Sequence, residues 1–330
     1  MFLSIFRTLV VVIVTACTNS SALAQENWKP NKPVEVIVGT SAGGAADHSA
    51  RVLQQLLQRL TGGSSAVVNK PGASYIASFV YLNQQAGDGH FIAVSPINLV
   101  TNRIVGMGGA NPDDITPLAQ LISDYHVFSV RSDSTIKNGT DLIERLRKDP
   151  ASVSIAVSPG LGAANHFATG TILKAAGIDI KRLKIVAFAS GGESMTSVLG
   201  GHIDLLVSAT PAVTPLMEAG KMRGIAITSA HRLSGAVSGV PTWKEQGIDA
   251  TFSNWRGVVG PRNLTRSQIA YWDSVLERIT KMEEWKKDLK LNNQETSYMN
   301  SQESKAFLAT QSTQLSTLLS DLGLAKNPAK

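Results

Sequence analysis

Two stretches of the same design constrain this fold more than any other feature of the chain. The first opens with Val34-Glu35-Val36-Ile37-Val38, passes through Gly39-Thr40-Ser41-Ala42-Gly43-Gly44-Ala45-Ala46-Asp47-His48, and ends in a run to Leu60. Clustered β-branched residues read as a buried strand. Apolar residues at Val52, Leu53, Leu56, Leu57 and Leu60 then recur at helical spacing. The unit is strand, glycine-rich turn, helix. Glycine lets the backbone approach a ligand closely, and the unpaired N–H groups of the helix's first turn, at its positive dipole end, suit an anion. The design returns after the strand-like Val153 to Val157, in Ser158-Pro159-Gly160-Leu161-Gly162-Ala163-Ala164-Asn165-His166. Two anion-ready helix starts on separate α/β units predict two lobes facing one cleft.

The chain between these units supports that expectation. Ser65 to Asn69 reads as a second strand, Ser74 to Gln85 as a helix and Phe91 to Ser95 as a third strand. Alternating strands and helices predict a mostly parallel sheet with helices on both faces. Ligands of such sheets bind beyond the carboxyl ends of the strands, so Ser95 to Asn98 joins Ser41 to Ala46 at the rim. Thr116 to Val130 is a long extended run read as a crossover strand into the second lobe. There the pattern predicts a helix over Gly139 to Lys148, a strand over Lys184 to Phe188, a loop at Ala189 to Glu193 and a strand over Ile203 to Val207. Gly224 to Ser229 reads as the return crossing, and long helices are expected over Ser267 to Met282 and near Ser301 to Leu322. The lobes are thus assigned to 25–125 plus 228–330 and to 126–227.

Composition narrows the function. The 330 residues, 43% of them hydrophobic, suffice for two cores. Met1 to Ala24 carries Arg7, an apolar run Leu9 to Ala16 and an Ala22-Leu23-Ala24 ending, which reads as an export signal. Val14-Thr15-Ala16-Cys17 also matches a lipobox, so anchoring through Cys17 is the alternative. Cys17 is the single cysteine. Cleavage after Ala24 would leave no disulfide and no thiolate chemistry. The net charge of +6 is thinly spread, and its densest run, Lys281 to Lys290, is interleaved with acids. That pattern is a solvated helix face, and nucleic acid is not expected.

Enzymatic motifs are few. Gly39-Thr40-Ser41-Ala42-Gly43 satisfies G-x-S-x-G, which would make Ser41 the nucleophile of a secreted hydrolase. Against this, a nucleophile elbow ordinarily follows several strands, and here the motif follows the first. The six histidines form no metal-binding pair, and no dinucleotide or P-loop pattern follows a strand, so neither metal nor cofactor is assigned. His166 and Asp47 each stand in the first turn of a helix, where they serve either the ligand or the cap. The loops carry no Arg or Lys for a bidentate grip; backbone N–H groups and hydroxyls would recognise a carboxylate instead. Arg256 beside Trp255 is the one exception, read either as ligand contact or as a surface or interlobe contact.

The order of Lys32 to Val38, Gly43-Gly44, Asp47, Asn69-Lys70-Pro71-Gly72-Ala73, Gly87-Asp88-Gly89, Ser158 to His166, Leu199 to Asp204, Ala219 to Arg223, Val240-Pro241-Thr242 and Trp255 to Pro261 resembles the Bug, or TctC-type, periplasmic solute-binding proteins of tripartite tricarboxylate transporters. The resemblance implies a two-lobed α/β periplasmic-binding fold with two crossover strands. It implies a non-enzymatic monomer that closes on a small carboxylate and presents it to a membrane transporter or a sensor. By position it selects Ala42, Gly43, Gly44, Ala45 and Asp47 in the first lobe and Ser158, Gly160, Gly162, Ala163 and His166 in the second. Ser190 and Gly191 are neighbours, Ser95 and Thr210 further candidates, and Ser41 stands on the rim. The chain departs from the family where a third glycine and a threonine usually precede Asp47, and where Ser74-Tyr75 replaces common glycines.

Overall fold

The computed structural model describes residues 28–43, 45–108, 114–158 and 161–326. The leader and Cys17 fall outside them, as do Gly44 and Gly160.

The first sheet begins with β1 (Val34–Val38), β2 (Ser65–Asn69) and β3 (Phe91–Pro96), linked by α1 (Ala45–Thr61) and α2 (Ile76–Asn83). α3 (Asn98–Ile104) leads on to β4 (Ile115–Asp124). β10 (Asn254–Pro261) and β11 (Glu295–Met299) complete an order of β11-β4-β10-β3-β1-β2. β1 pairs parallel with β2 and β3, whereas β10 runs antiparallel to both β3 and β4, and β11 antiparallel to β4. Four of the six strands therefore share one direction.

The second sheet comprises β5 (His126–Arg131), β6 (Ser154–Val157), β7 (Lys184–Ala187), β8 (Leu205–Ala209) and β9 (Met222–Ile227), in the order β7-β6-β8-β5-β9. Here β5 alone opposes the other strands. Its helices are α4 (Gly139–Lys148), α5 (Ala164–Ala175), α6 (Gly191–Leu199) and α7 (Thr210–Glu218). Chain reversal after the second sheet is completed by α8 (Arg266–Lys281), α9 (Glu283–Leu291) and α10 (Ser301–Asp321). Both α8 and α10 start on full capping boxes, Thr265 with Gln268 and Asn300 with Glu303, which satisfy first-turn N–H groups and fix where each helix begins.

Core packing follows from the periodicity. Val36, Val38, Ala50, Leu53 and Leu57 bury one face of the first sheet together with Trp272 and Trp285. Val127, Leu206, Val213 and Ile227 form the corresponding cluster of the second. A third cluster joins the two halves through Phe128, Phe167, Trp243, Trp255 and the apolar face of α10. Gly170 on α5 faces Leu318 so closely that a Cβ would lie 3.1 Å from its methyl. α10 thus touches elements of both sheets.

The two sheets meet where β4 runs into β5 with only Tyr125 between them. Thr228 fastens this crossing. Its Oγ1 accepts from the His126 N–H (3.0 Å) and donates to the Phe252 carbonyl (2.7 Å). Its own N–H donates to the His126 carbonyl, and its carbonyl accepts from Phe252, both at 3.0 Å. The segment Gly224 to Ser229, read above as the return crossing, supplies most of β9, the edge strand of the second sheet, and ends at this junction. The chain then packs against the second sheet, through Leu233, Val237 and Val240, before β10 begins in the first.

Candidate functional site

Strand direction places the loops. β4 ends at the crossing and β5 starts there. β1, β2 and β3 run the same way as β4, so their carboxyl ends lie on the first sheet's crossing edge. In the second sheet His126 at the start of β5 pairs with Ala209 at the end of β8, and β6, β7 and β9 run with β8. Both sets of carboxyl ends therefore border the crossing. Ser41 to Gly43, Ala45 to Asp47, Ser95, Ser158, Leu161 to His166, Ser190-Gly191 and Thr210 all stand on these edges, which is where α/β sheets carry ligands. The candidates Gly44 and Gly160 lie outside the described residues.

The first loop leaves β1 and turns at Gly43, whose φ of +90° is left-handed and open to glycine at no steric cost. The Gly43 N–H donates to Asp47 Oδ2 at 2.9 Å. The same carboxylate receives Arg51 Nε at 2.8 Å and Asn69 Nδ2 at 2.9 Å, so both oxygens are engaged. The side-chain bonds from Arg51, followed by those from Gly43 and Asn69, hold the buried Asp47 carboxyl down at about 2, against its burial. It is a fixed anion that shapes the loop. Ser41, Ala42 and Ala45 are exposed around it, and Ala46 is buried against α1's packing face.

The second loop repeats the device with a different acceptor. Gly162 is left-handed at φ +79°, and its N–H donates to His166 Nδ1 at 3.0 Å. An accepting Nδ1 requires the ring proton on Nε2, which leaves that N–H as a donor. Burial lowers the His166 pKa to about 4, so the ring is neutral at pH 7. Ala163 is the N-cap of α5 but has no side chain with which to cap it. Ser158 lies beside the start of α6, its Oγ 3.4 Å from Ser194 Oγ, which in turn donates to the Gly191 carbonyl at 2.8 Å. Ser190 caps α6 by accepting the Glu193 N–H at 3.3 Å. The start of α6 thus lies against Ser158.

The remaining candidates separate. Thr210 is fully buried, and both its N–H (3.0 Å) and Oγ1 (2.8 Å) donate to the Tyr125 carbonyl, so it secures the crossing. Ser95 is also buried, and its hydroxyl has no hydrogen-bond partner among the described residues. Thr40 Oγ1, Asn165 Oδ1 and Ser208 Oγ share that condition along the same two edges. Buried side-chain atoms elsewhere among the described residues, Trp243 Nε1 and Arg223 Nε among them, share it too, so the condition does not by itself single out these edges.

Two side chains gain meaning only in three dimensions. Arg256 is buried and pairs with buried Asp124 at the end of β4. Its charge is consumed there and does not form a surface contact. Tyr75 packs so tightly that a Cβ on Gly39 would meet its ring at 2.2 Å. Ala73, Ser74 and Tyr75 hold φ of +44°, +54° and +75°, three consecutive non-glycine residues in the left-handed region. Such backbone costs about 1 kcal/mol or more per residue and persists where its surroundings over-determine it. Here Asn102 Nδ2 donates to the Ser74 carbonyl at 2.6 Å and Asn98 Nδ2 to Ser74 Oγ at 2.8 Å. Burial raises the Tyr75 hydroxyl above its ordinary range, opposed by Arg256 nearby. At the crossing itself, burial and the neighbouring Glu295 carboxylate push Tyr125 up to about 12.

Residues 49–324 match the model of the tripartite tricarboxylate transporter family receptor, TctC. The chain belongs to this family. The TctC match begins within α1 and ends after α10, so it takes in the whole second sheet and every strand of the first except β1, with the 41–47 loop lying just before it. A protein encoded in the gbd 5′ region of Cupriavidus necator is 28% identical over 308 residues, 92% of each chain. A TctC solute-binding protein from Polaromonas superposes with a TM-score of 0.79 at 23% identity, covering 89% of this chain and 100% of that one. The Rpa4515 protein of R. palustris, solved with adipate, gives 0.73 at 23% identity, with 90% and 99% covered. At these identities the solved structures speak for the fold, which is that of two-lobed periplasmic binding proteins.

Proposed function

We propose that this TctC-family chain is an exported, monomeric solute-binding protein that holds a small aliphatic carboxylate between two lobes, 25–125 with 254–330 on the first sheet and 126–253 on the second. The boundary falls after 253 and not at 228 because Leu233, Val237 and Val240 pack with Val127 and Ile227. The observation that carries the reading is the matched pair of traps, Gly43 N–H to Asp47 and Gly162 N–H to His166, on the two strand edges that border one crossing. Each trap turns a glycine-rich loop into a fixed frame at the start of a helix. The remaining first-turn N–H groups then point outward as donors.

The two frames are not equivalent toward an anion. Asp47 places a negative charge in the first turn of α1, partly offset by Arg51, whereas the second frame is neutral and offers His166 Nε2–H and Ser158 Oγ. The carboxylate therefore docks on the second frame, and the first frame closes over the other end of the molecule. A ligand favours the closed state only by contacting both halves. Adipate in a solved relative supports the choice of an aliphatic diacid. Delivery to the membrane partner of a tripartite transporter, with the periplasm as the working compartment, follows the family assignment; a sensor is the other partner class.

A thermal-shift screen of adipate, shorter diacids and aromatic acids tests the proposal. At least one acid should raise Tm in proportion to its affinity, and Ala42→Trp should remove the rise. If none does so while an ester is turned over and Ser41→Ala abolishes turnover, the hydrolase reading replaces it.

A further inference from the structure

A cavity of about 480 Å³ lies at the β11 edge of the first sheet, beside the end of β4, where Glu295 and Thr296 pair with Ser123 and Ile122, on the opposite side of that sheet from β1 and its loop. One wall is Leu233 and Ser234, in the segment that packs on the second sheet; Leu233 is buried in that sheet's cluster with Val127 and Ile227. The opposite wall is α9 and the start of β11, and its Leu289 is buried with the first sheet's Val36 and Trp272. The cavity is therefore an interlobe groove. His231 bridges it to Glu295 at 3.0 Å, and Asn293, left-handed at φ +50°, reaches across to Gly235.

The chemistry of the walls is uneven. Lys286 and Lys290 stand four residues apart on α9, which puts them on one helix face. Lys286 has only an exposed partner, Glu283, and Lys290 forms no ion pair among the described residues. The single acid of the lining, Glu295, is taken by His231 and lies beside Tyr125. Cationic side chains, Lys286 and Lys290, thus outnumber the one carboxylate above an apolar floor of Leu233 and Leu289.

From this juxtaposition we propose that the groove is a second binding site, distinct from the carboxylate cleft, for a small amphipathic dianion whose charged end meets Lys286 and Lys290 and whose apolar end rests on Leu233 and Leu289. Because its walls belong to different sheets, an occupant bridges both halves and biases their relative position. Any effect on cleft affinity is then matched by an equal effect of the cleft ligand on the groove.

Calorimetric titration of the full mature chain with phenyl phosphate, at constant ionic strength, tests this. Wild type should bind it, Lys286→Gln/Lys290→Gln should bind roughly tenfold more weakly or not at all, and Ala42→Trp, which blocks the cleft loop, should bind it as wild type does. Absence of binding to wild type, equal binding by the lysine double variant, or loss in Ala42→Trp each overturns the proposal. The double variant should keep its thermal response to the cleft carboxylate, so failure of the groove and failure of the cleft are read separately.

Discussion

In the loop after β1 the glycine N–H is held by a carboxylate; in the loop after β6 it is held by an imidazole. The spacing is the same, Gly43 to Asp47 and Gly162 to His166, and both acceptors occupy the third residue of a helix. Their chemistry differs. Asp47 is a buried group with three donors, ionised at pH 7, and any anion in front of it meets repulsion tempered by Arg51. His166 is buried and neutral, and among the described residues only its Nδ1 is hydrogen-bonded. The comparison teaches that one backbone geometry can be fixed by either acceptor, and that the choice of acceptor decides whether the frame can also receive an anion.

The largest expected difference between the two loops is in their response to pH. His166 has a folded pKa of about 4 against an ordinary 6.5, so the unfolded chain binds more protons between these values. Stability is lost as pH falls through 6.5 and levels off below 4. Relative to His166→Gln, wild type should lose about 3 kcal/mol between pH 7 and pH 4 in urea melts, since a pKa unit is worth about 1.4 kcal/mol. His126, equally depressed by burial, contributes to both proteins and cancels in this difference.

Asp47 titrates in a different window. Its folded pKa of about 2 lies below the ordinary 3.8, so its stabilisation is present above 3.8 and is lost as pH falls towards 2. Asp47→Asn should cost about 2 kcal/mol at pH 7, and the gap from wild type should close only below pH 4. If both variants changed in the same pH window, the distinction between the loops would fail.

A smaller and symmetric effect is expected from the glycines. At Gly43 and Gly162 an added Cβ meets nothing within 4 Å, so only the left-handed backbone resists substitution. Gly43→Ala and Gly162→Ala should each cost about 1 kcal/mol in urea midpoint experiments. A cost at one position several times that at the other would break the equivalence of the frames.

Much of this architecture is legible in the chain. β1, β2 and α4 occupy the residues that periodicity assigns, because apolar spacing and turn chemistry agree there. The helices α6 and α7 are not legible. Ser190-Gly191-Gly192 reads as a loop until Ser190 caps the Glu193 N–H, and Thr210-Pro211 with Pro215 carries two prolines although Pro211, in the first turn, is compatible with a start. β11 is a short polar edge strand without a two-residue period and is visible only through its pairing with β4. In the site, the glycine loops stand out in the sequence. The equivalence of Asp47 and His166 as acceptors does not, since it depends on backbone direction. Nor does the Asp124–Arg256 pair, whose members lie 132 residues apart.

The central claim is that both frames contact one carboxylate ligand, and amide NMR of the ¹⁵N-labelled protein titrated with the first acid to raise Tm tests it most directly. Amides of 41–47 and of 158–166 should shift together and saturate with a single Kd, the larger shifts in the second loop. Shifts confined to one loop, or saturating at different concentrations in the two, would contradict it.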